Sequence, residues 1–300
     1  MRILVTGASG HIGSAVVPEL LGAGHQVVGL ARSDASAEAV AATGATVVRG
    51  DLDDLDGLAT AASAADGVVH LAFKHELDDL PRAAVFDLAA VEAIGEALEG
   101  TGKPFVITSG TLLLAFAAPG QVGTEDAVLA GGPRADSENV VVAMAERGVR
   151  SSVVRLAPLV HSSLDHHGFT HRLIATARRT GVSAYVGDGT NRWSGLHTLD
   201  AATLYRAAVE RAPAGSRLHG VEDEGVPFRE IAGVLGRHLG LPVRSIAPEE
   251  ADTHFGFLGP LVVLDGPASN ARTRALLGWA PTHPGLLADL DEGHYFTAVA

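Results

Sequence analysis

The chain contains no cysteine. That excludes disulfide staples, thiol nucleophiles and cysteine-based metal sites. It also lacks any apolar run of membrane-spanning length, so no bilayer helix is expected. Positive charge is scarce: 22 Lys and Arg stand against 35 Asp and Glu, a net charge of −13. Such an excess argues against nucleic acid or an anionic membrane as partner and leaves a small-molecule substrate as the expected ligand. Aromatic residues make up only 5%, with three tyrosines, Tyr185, Tyr205 and Tyr295, and none of them precedes a lysine by four residues. The apolar run Ile3-Leu4-Val5 at the N-terminus leaves no room for a signal peptide, and a cytoplasmic location is expected.

What is present begins at that first apolar run. Val5-Thr6-Gly7-Ala8-Ser9-Gly10-His11-Ile12-Gly13 leads from a strand into a helix. Glycines in the pattern Gly-x-x-Gly-x-x-Gly permit a tight turn, a close backbone approach to a pyrophosphate, and close helix–strand packing. The helix behind them aims unpaired N–H groups and a positive dipole end at the phosphates. Val27-Val28-Gly29-Leu30 reads as a second strand, followed by Arg32, Ser33 and Asp34. A guanidinium at Arg32 is suited to a 2′-phosphate, which favours NADPH, while Asp34 keeps NADH open.

Apolar periodicity places strands near 2–6, 26–30, 45–49, 67–71, 104–107 and 150–156, with helices near 11–23, 35–43, 54–64, 82–100 and 137–147. Short connections between them point to right-handed crossovers and a parallel sheet. The expected fold is therefore α/β: a Rossmann-type, doubly wound, mainly parallel sheet over residues 1–160. Residues 161–300 read as a smaller C-terminal substrate lobe of helices and loops, packed intimately against the sheet and able to return segments to it.

The chain resembles the short-chain dehydrogenase/reductase superfamily, in its extended or atypical branch. The likeness is carried by Thr6-Gly7-x-x-Gly10-x-x-Gly13, Gly50-Asp51-Leu52, His70-Leu71-Ala72-Phe73, Phe105-Val106-Ile107-Thr108-Ser109 and Arg155-Leu156-Ala157-Pro158. Gly187-Asp188-Gly189, His197-Thr198-Leu199-Asp200 and Leu277-Gly278-Trp279-x-Pro281 extend it toward the C-terminus. The resemblance implies that Gly7, Ser9, Gly10, His11, Ile12 and Gly13 hold the pyrophosphate, and that Asp51 and Leu52 contact adenine. It further implies that Leu71, Ala72, Phe73 and Thr108 follow the inner ribose, with Leu156 and Pro158 under the nicotinamide. Homodimers of such proteins form through the helices after the fourth and fifth strands, and Val140-Val141-Val142-Ala143-Met144 suits that.

The departure lies in catalysis. Members of the superfamily carry Tyr-x-x-x-Lys after the fifth strand, the Tyr moving a proton and the Lys lowering its pKa. Laid against that motif, Pro133-Arg134-Ala135-Asp136-Ser137-Glu138 puts Arg134 at the Tyr position and Glu138 at the Lys position. The two are also spaced for an i, i+4 ion pair. Catalytic candidates are Arg134 as a fixed cation and Ser109 or Thr111 as a polarising hydroxyl, with His161, His166 or His75 as proton donors. His161, Asp165, His166, His167 and His171 match no common metal spacing and read as a cleft-lining loop, and no metal is expected. Trp193 and the run Phe255-Gly256-Phe257-Leu258 are candidates to wall an apolar substrate. The expected activity is an NADPH-dependent oxidoreductase passing hydride to a small carbonyl, imine or activated alkene. A non-catalytic NADP(H) redox sensor and an NAD(P)-dependent sugar epimerase or dehydratase are the alternatives.

Overall fold

The computed structural model describes residues 1–74, 80–132 and 134–297, with only the backbone of Leu80. His75 and Pro133, named above, lie outside the described residues. The N-terminal half alternates as its periodicity predicts. Strands β1 (Arg2–Thr6), β2 (Gln26–Ala31), β3 (Thr46–Arg49), β4 (Gly67–His70), β5 (Pro104–Gly110) and β6 (Arg150–Leu156) are separated by helices. These are α1 (His11–Gly22), α2 (Asp34–Ala42), α3 (Leu55–Ser63), α4 (Leu80–Leu98), α5 (Leu113–Ala117) and α6 (Ala135–Ala143).

The remainder holds more strand than its sequence suggested. It runs β7 (Leu159–His161), α7 (Phe169–Thr180), β8 (Ser183–Val186), β9 (Arg192–His197), α8 (Thr198–Arg211), β10 (Ser216–Gly220), β11 (Asp223–Pro227), α9 (Phe228–Leu239) and β12 (Val243–Ile246). Four short helices follow: α10 (Ala251–Phe255), α11 (Gly259–Val262), α12 (Ala271–Leu277) and α13 (Leu286–Asp291). The expectation of helices and loops fails here because strands such as β9 (RWSGLH) and β11 (DEGVP) mix charged, polar, Gly and Pro residues and show no apolar run. β7 and β11 flank β9 in a three-stranded sheet, and β12 pairs with β8. β10 returns to the main sheet beside β6.

The main sheet has seven parallel strands in the order β10-β6-β5-β4-β1-β2-β3. Side chains alternate between its faces. Ile3, Val5, Val69 and Val106 pack against α1 and α8 through Val16, Leu20, Leu204 and Tyr205. Leu4, Val68, Phe105 and Val153 pack against α3, α4 and α6 through Leu58, Val91, Ile94 and Val141. Both faces are covered, as an all-parallel sheet requires. A third core in the C-terminal lobe gathers Leu159, Trp193, Phe228, Ile231 and Phe255. Trp193 is wholly buried there, so it packs the lobe and walls no cleft. Of the run proposed for dimerisation, Val141 and Met144 belong to the core under α6.

Candidate functional site

The strand order reverses between β1 and β4, and the crevice above that point is where open α/β sheets bind ligands. The glycine loop occupies it. Gly7 has φ +68°, and a Cβ there would sit 2.7 Å from the Ala72 nitrogen. A Cβ on Gly13 would lie 2.1 Å from the Gly7 carbonyl oxygen, so neither position admits a side chain. Gly10 donates to the Gly7 carbonyl at 3.0 Å and starts α1 with neither a capping side chain nor an acidic residue in the first turn. The N–H groups of residues 11–13 therefore have no helical acceptor, and this cradle fits a pyrophosphate. Ser9 is exposed at its rim. The His11 side chain points elsewhere: Nε2 meets Thr198 Oγ1 at 2.8 Å and Nδ1 lies 3.5 Å from Asp165. Burial lowers its pKa despite the nearby Asp165 carboxylate.

Around this loop, Leu71, Ala72 and Phe73 follow β4, and Leu52 is buried after β3. Asp51 pairs with Lys74 at 3.4 Å, and Lys74 also holds Asp53 at 2.5 Å. Arg32 is exposed past the end of β2. Its neighbour Ser33 caps α2, and Asp34 pairs with Arg49 at 2.8 Å. The strand end thus presents both charges instead of a dedicated 2′-phosphate clamp.

Arg134 is the only non-glycine residue with positive φ (67°) among those described. A bulky side chain held in that region marks a position over-determined by its surroundings. Nη1 donates to Asp87 Oδ1 at 3.0 Å, Nη2 donates to the Thr108 carbonyl, and the guanidinium lies 4.4 Å over the Phe73 ring. Asp87 is 3% exposed; it accepts from Ser137 Oγ at 2.7 Å and lies 3.5 Å from His70 Nε2. His70 Nδ1 in turn meets Thr6 Oγ1 at 2.8 Å. Burial would raise the Asp87 carboxyl, but the His70 bond, the Arg134 charge and the Ser137 hydroxyl together hold it below the usual carboxylate range. Sequence reasoning missed Asp87. Its signal was a lone acid in the apolar stretch Ala83-Ala84-Val85-Phe86-Asp87-Leu88-Ala89-Ala90.

Glu138 behaves differently from the expectation. It is wholly buried, takes a two-pronged bond from Arg155 Nε (3.0 Å) and Nη2, and meets Arg217 Nε at 2.7 Å. The i, i+4 pair with Arg134 does not form, because Glu138 faces β6 and Arg134 faces β5. Of the two, only the Arg134 side chain keeps any exposure. If Arg134 stands where the family's lysine would, the tyrosine position four residues earlier falls on Ala130, which has no hydroxyl.

The hydroxyls at the end of β5 divide. Thr108 Oγ1 donates to the His70 carbonyl at 3.1 Å and meets Tyr205 OH at 2.7 Å. Burial pushes the Tyr205 phenol well above its ordinary pKa, so it does not ionise near neutrality. Thr111 Oγ1 faces Leu156 O and Ser194 Oγ, each at 3.3 Å. Ser109 Oγ is buried without a partner. Leu156 ends β6, and Pro158 follows it, half-buried. The histidine-rich segment disperses: His161 is buried on Asp289 at 2.9 Å, His171 sits on the Asp165 carbonyl at 2.7 Å, and His166 and His167 are exposed. His197, Asp200 and His283 do gather within 4.8 Å. Their facing atoms already hold the starts of α8 and of the segment at Thr282.

The model of the NAD dependent epimerase/dehydratase family matches residues 3–101. An uncharacterised protein of Schizosaccharomyces pombe is 45% identical over 99% of this chain and 100% of its own length. A 3-diazoavenalumate denitrifying reductase of a Streptomyces species is 34% identical over 95% and 97%, and a UDP-glucose 4-epimerase of Streptomyces lividans 27% over 98% and 96%. Among solved structures, the dTDP-glucose 4,6-dehydratase DesIV of Streptomyces venezuelae, bound to NAD, superposes with TM-score 0.76 at 22% identity over 97% and 96%. The UDP-glucuronic acid 4-epimerase of Bacillus cereus, also with NAD, superposes with 0.74 at 20% over 98% of each chain. These comparisons overturn two expectations. The fold neighbours hold NAD, against the NADPH preference read from Arg32. The epimerases and dehydratases among them displace the reading of a generic NADPH carbonyl, imine or alkene reductase. Arg32 misled because one exposed guanidinium says little about the ribose site when Asp34 stands two residues away. From the glycine cradle to the end-to-end likeness, the chain belongs to the NAD dependent epimerase/dehydratase family.

Proposed function

We propose that this chain binds NAD across the carboxyl edge of its main sheet and uses it for hydride chemistry on a small hydroxyl-bearing substrate. The substrate class favoured is a nucleotide-linked sugar, as the names of the epimerase and dehydratase relatives indicate. The observation that carries the reading is the uncapped start of α1 behind Gly7, Gly10 and Gly13 at the switch point. When bound, the nicotinamide supplies the acceptor and donor of hydride; the protein supplies position and charge.

In this reading the N–H groups of His11, Ile12 and Gly13 hold the pyrophosphate, with Ser9 at the rim. Asp51 and Leu52 flank the adenine, and Leu71, Ala72 and Phe73 the inner ribose. Leu156 and Pro158 support the nicotinamide end. Arg134 holds hydroxyl or carbonyl oxygens there through its remaining N–H groups. It moves no proton, because a guanidinium hardly deprotonates. The unpartnered Ser109 hydroxyl is the hydrogen-bonding group assigned to the substrate oxygen, and Thr111 braces β5 against β9. No helix among the described residues is long and apolar enough to cross a membrane, and we place the protein with the cytoplasmic dinucleotide pool.

The test is a fluorescence titration with NAD, followed by NMR of UDP-glucose and dTDP-glucose incubated with the loaded protein. Saturable NAD binding and conversion of either sugar support the reading. NAD binding without conversion removes the sugar-nucleotide assignment, and absence of NAD binding removes the dinucleotide assignment.

A further inference from the structure

The strand order β3-β2-β1-β4-β5-β6 assigns the two halves of a bound dinucleotide to different strands. The adenosine half lies over β1 and β2, the nicotinamide half over β4 and β5. The Arg134–Asp87 pair is anchored on the second half. Its guanidinium sits on the Thr108 carbonyl of β5, and its carboxylate lies beside His70 at the end of β4. The Arg134 side chain is 20% exposed and that of Asp87 only 3%, so the cation faces the open side and the anion backs it. Hydrogen bonds from Ser137 and the stacked Phe73 ring hold both in place, and little water separates them.

An oxidised nicotinamide ring carries a positive charge and a reduced ring carries none. A fixed charge nearby therefore changes the affinity of one form and leaves the other almost untouched. We propose that the Arg134–Asp87 pair sets the relative affinity of the site for oxidised and reduced dinucleotide, with Asp87 cancelling the repulsion that Arg134 would otherwise exert on the oxidised form. Arg134 supplies binding contacts that need a cation, and Asp87 keeps that cation from expelling NAD. The inference rests on the dinucleotide reading above and requires no particular substrate.

The experiment compares dissociation constants for NAD and NADH in the wild type, Asp87→Asn, Arg134→Met and the double variant at neutral pH. Asp87→Asn should weaken NAD relative to NADH on the order of tenfold, because it leaves the Arg134 charge uncompensated. Arg134→Met should shift the ratio the opposite way by a similar factor, and the double variant should return toward the wild type. Arg134→Lys, which keeps the charge, should hold the ratio within about twofold and serves if Asp87→Asn fails to fold. A pair that only packs the cleft would weaken both forms equally; an unchanged ratio in Asp87→Asn and Arg134→Met overturns the proposal. A wild type that binds neither form overturns the dinucleotide reading itself, and the proposal with it.

Discussion

Replacing Glu138 by Gln separates the core from the cleft more sharply than any other single change. The carboxylate is wholly buried between α6 and β6, and Arg155, its main partner, is equally buried. Removing one member of such a pair leaves an uncompensated charge in the interior, which costs about 3–5 kcal/mol. Unfolding entropy of about 2.1 cal/mol/K per residue gives a chain of this size about 0.6 kcal/mol per degree. Glu138→Gln should therefore lower Tm by roughly 5–8 °C. Joint replacement of Glu138 by Leu and of both its partners Arg155 and Arg217 by Met should recover much of that loss, because an apolar cluster needs no desolvation. The pH dependence has a definite sign. Burial would raise the Glu138 carboxyl, but Arg155 and then Arg217 hold it below its ordinary value. Its stabilisation is complete above that ordinary value and disappears as pH falls through the lowered one. The Tm gap between wild type and Glu138→Gln should thus close in acid. Calorimetric scans across pH measure this, alongside an NAD titration of each protein. A variant with unchanged Tm but weakened NAD binding would place Glu138 in the cleft and refute the reasoning.

Three further outcomes test other parts of the fold. Gly13→Ala forces a methyl against the Gly7 carbonyl and should abolish NAD binding or soluble expression, whereas Gly233→Ala, in α9 with nothing within 4 Å, should stabilise by about 0.5–1 kcal/mol; circular dichroism melts and an NAD titration read both. His197 and His219 are pushed from 6.5 down to about 4, the first by burial and then His161, the second by burial and then the Arg155 charge against the opposing Glu125. Both stay neutral in the folded chain while the unfolded chain takes up protons below 6.5, so stability should fall as pH drops from about 6.5 to about 4. Melting curves of wild type and His219→Gln across that window should show a shallower fall in the variant.

The N-terminal sheet was legible because its signals are local. The apolar runs Ile3-Leu4-Val5 and Val68-Val69 are read from neighbours one or two residues away, since strands buried on both faces are apolar throughout. The glycine cradle was legible because its Gly-x-x-Gly-x-x-Gly spacing lies within one short segment, although the limit at Gly7 itself is set by Leu71 and Ala72, just past the end of β4. Strands β9 and β11 were not legible, since RWSGLH and DEGVP mix charged, polar, Gly and Pro residues and carry no apolar run to mark them.

Sequence by itself thus determined a doubly wound sheet, a glycine turn at its first strand–helix junction and the absence of a tyrosine–lysine pair. Tertiary structure decided what each charge does. Arg134 and Glu138 stand four residues apart, yet one meets Asp87, 47 residues away, and the other Arg155, 17 residues away. His161 finds Asp289 across 128 residues. The energy of a buried charge depends on which opposite charge folding brings beside it, and no spacing along the chain records that partner.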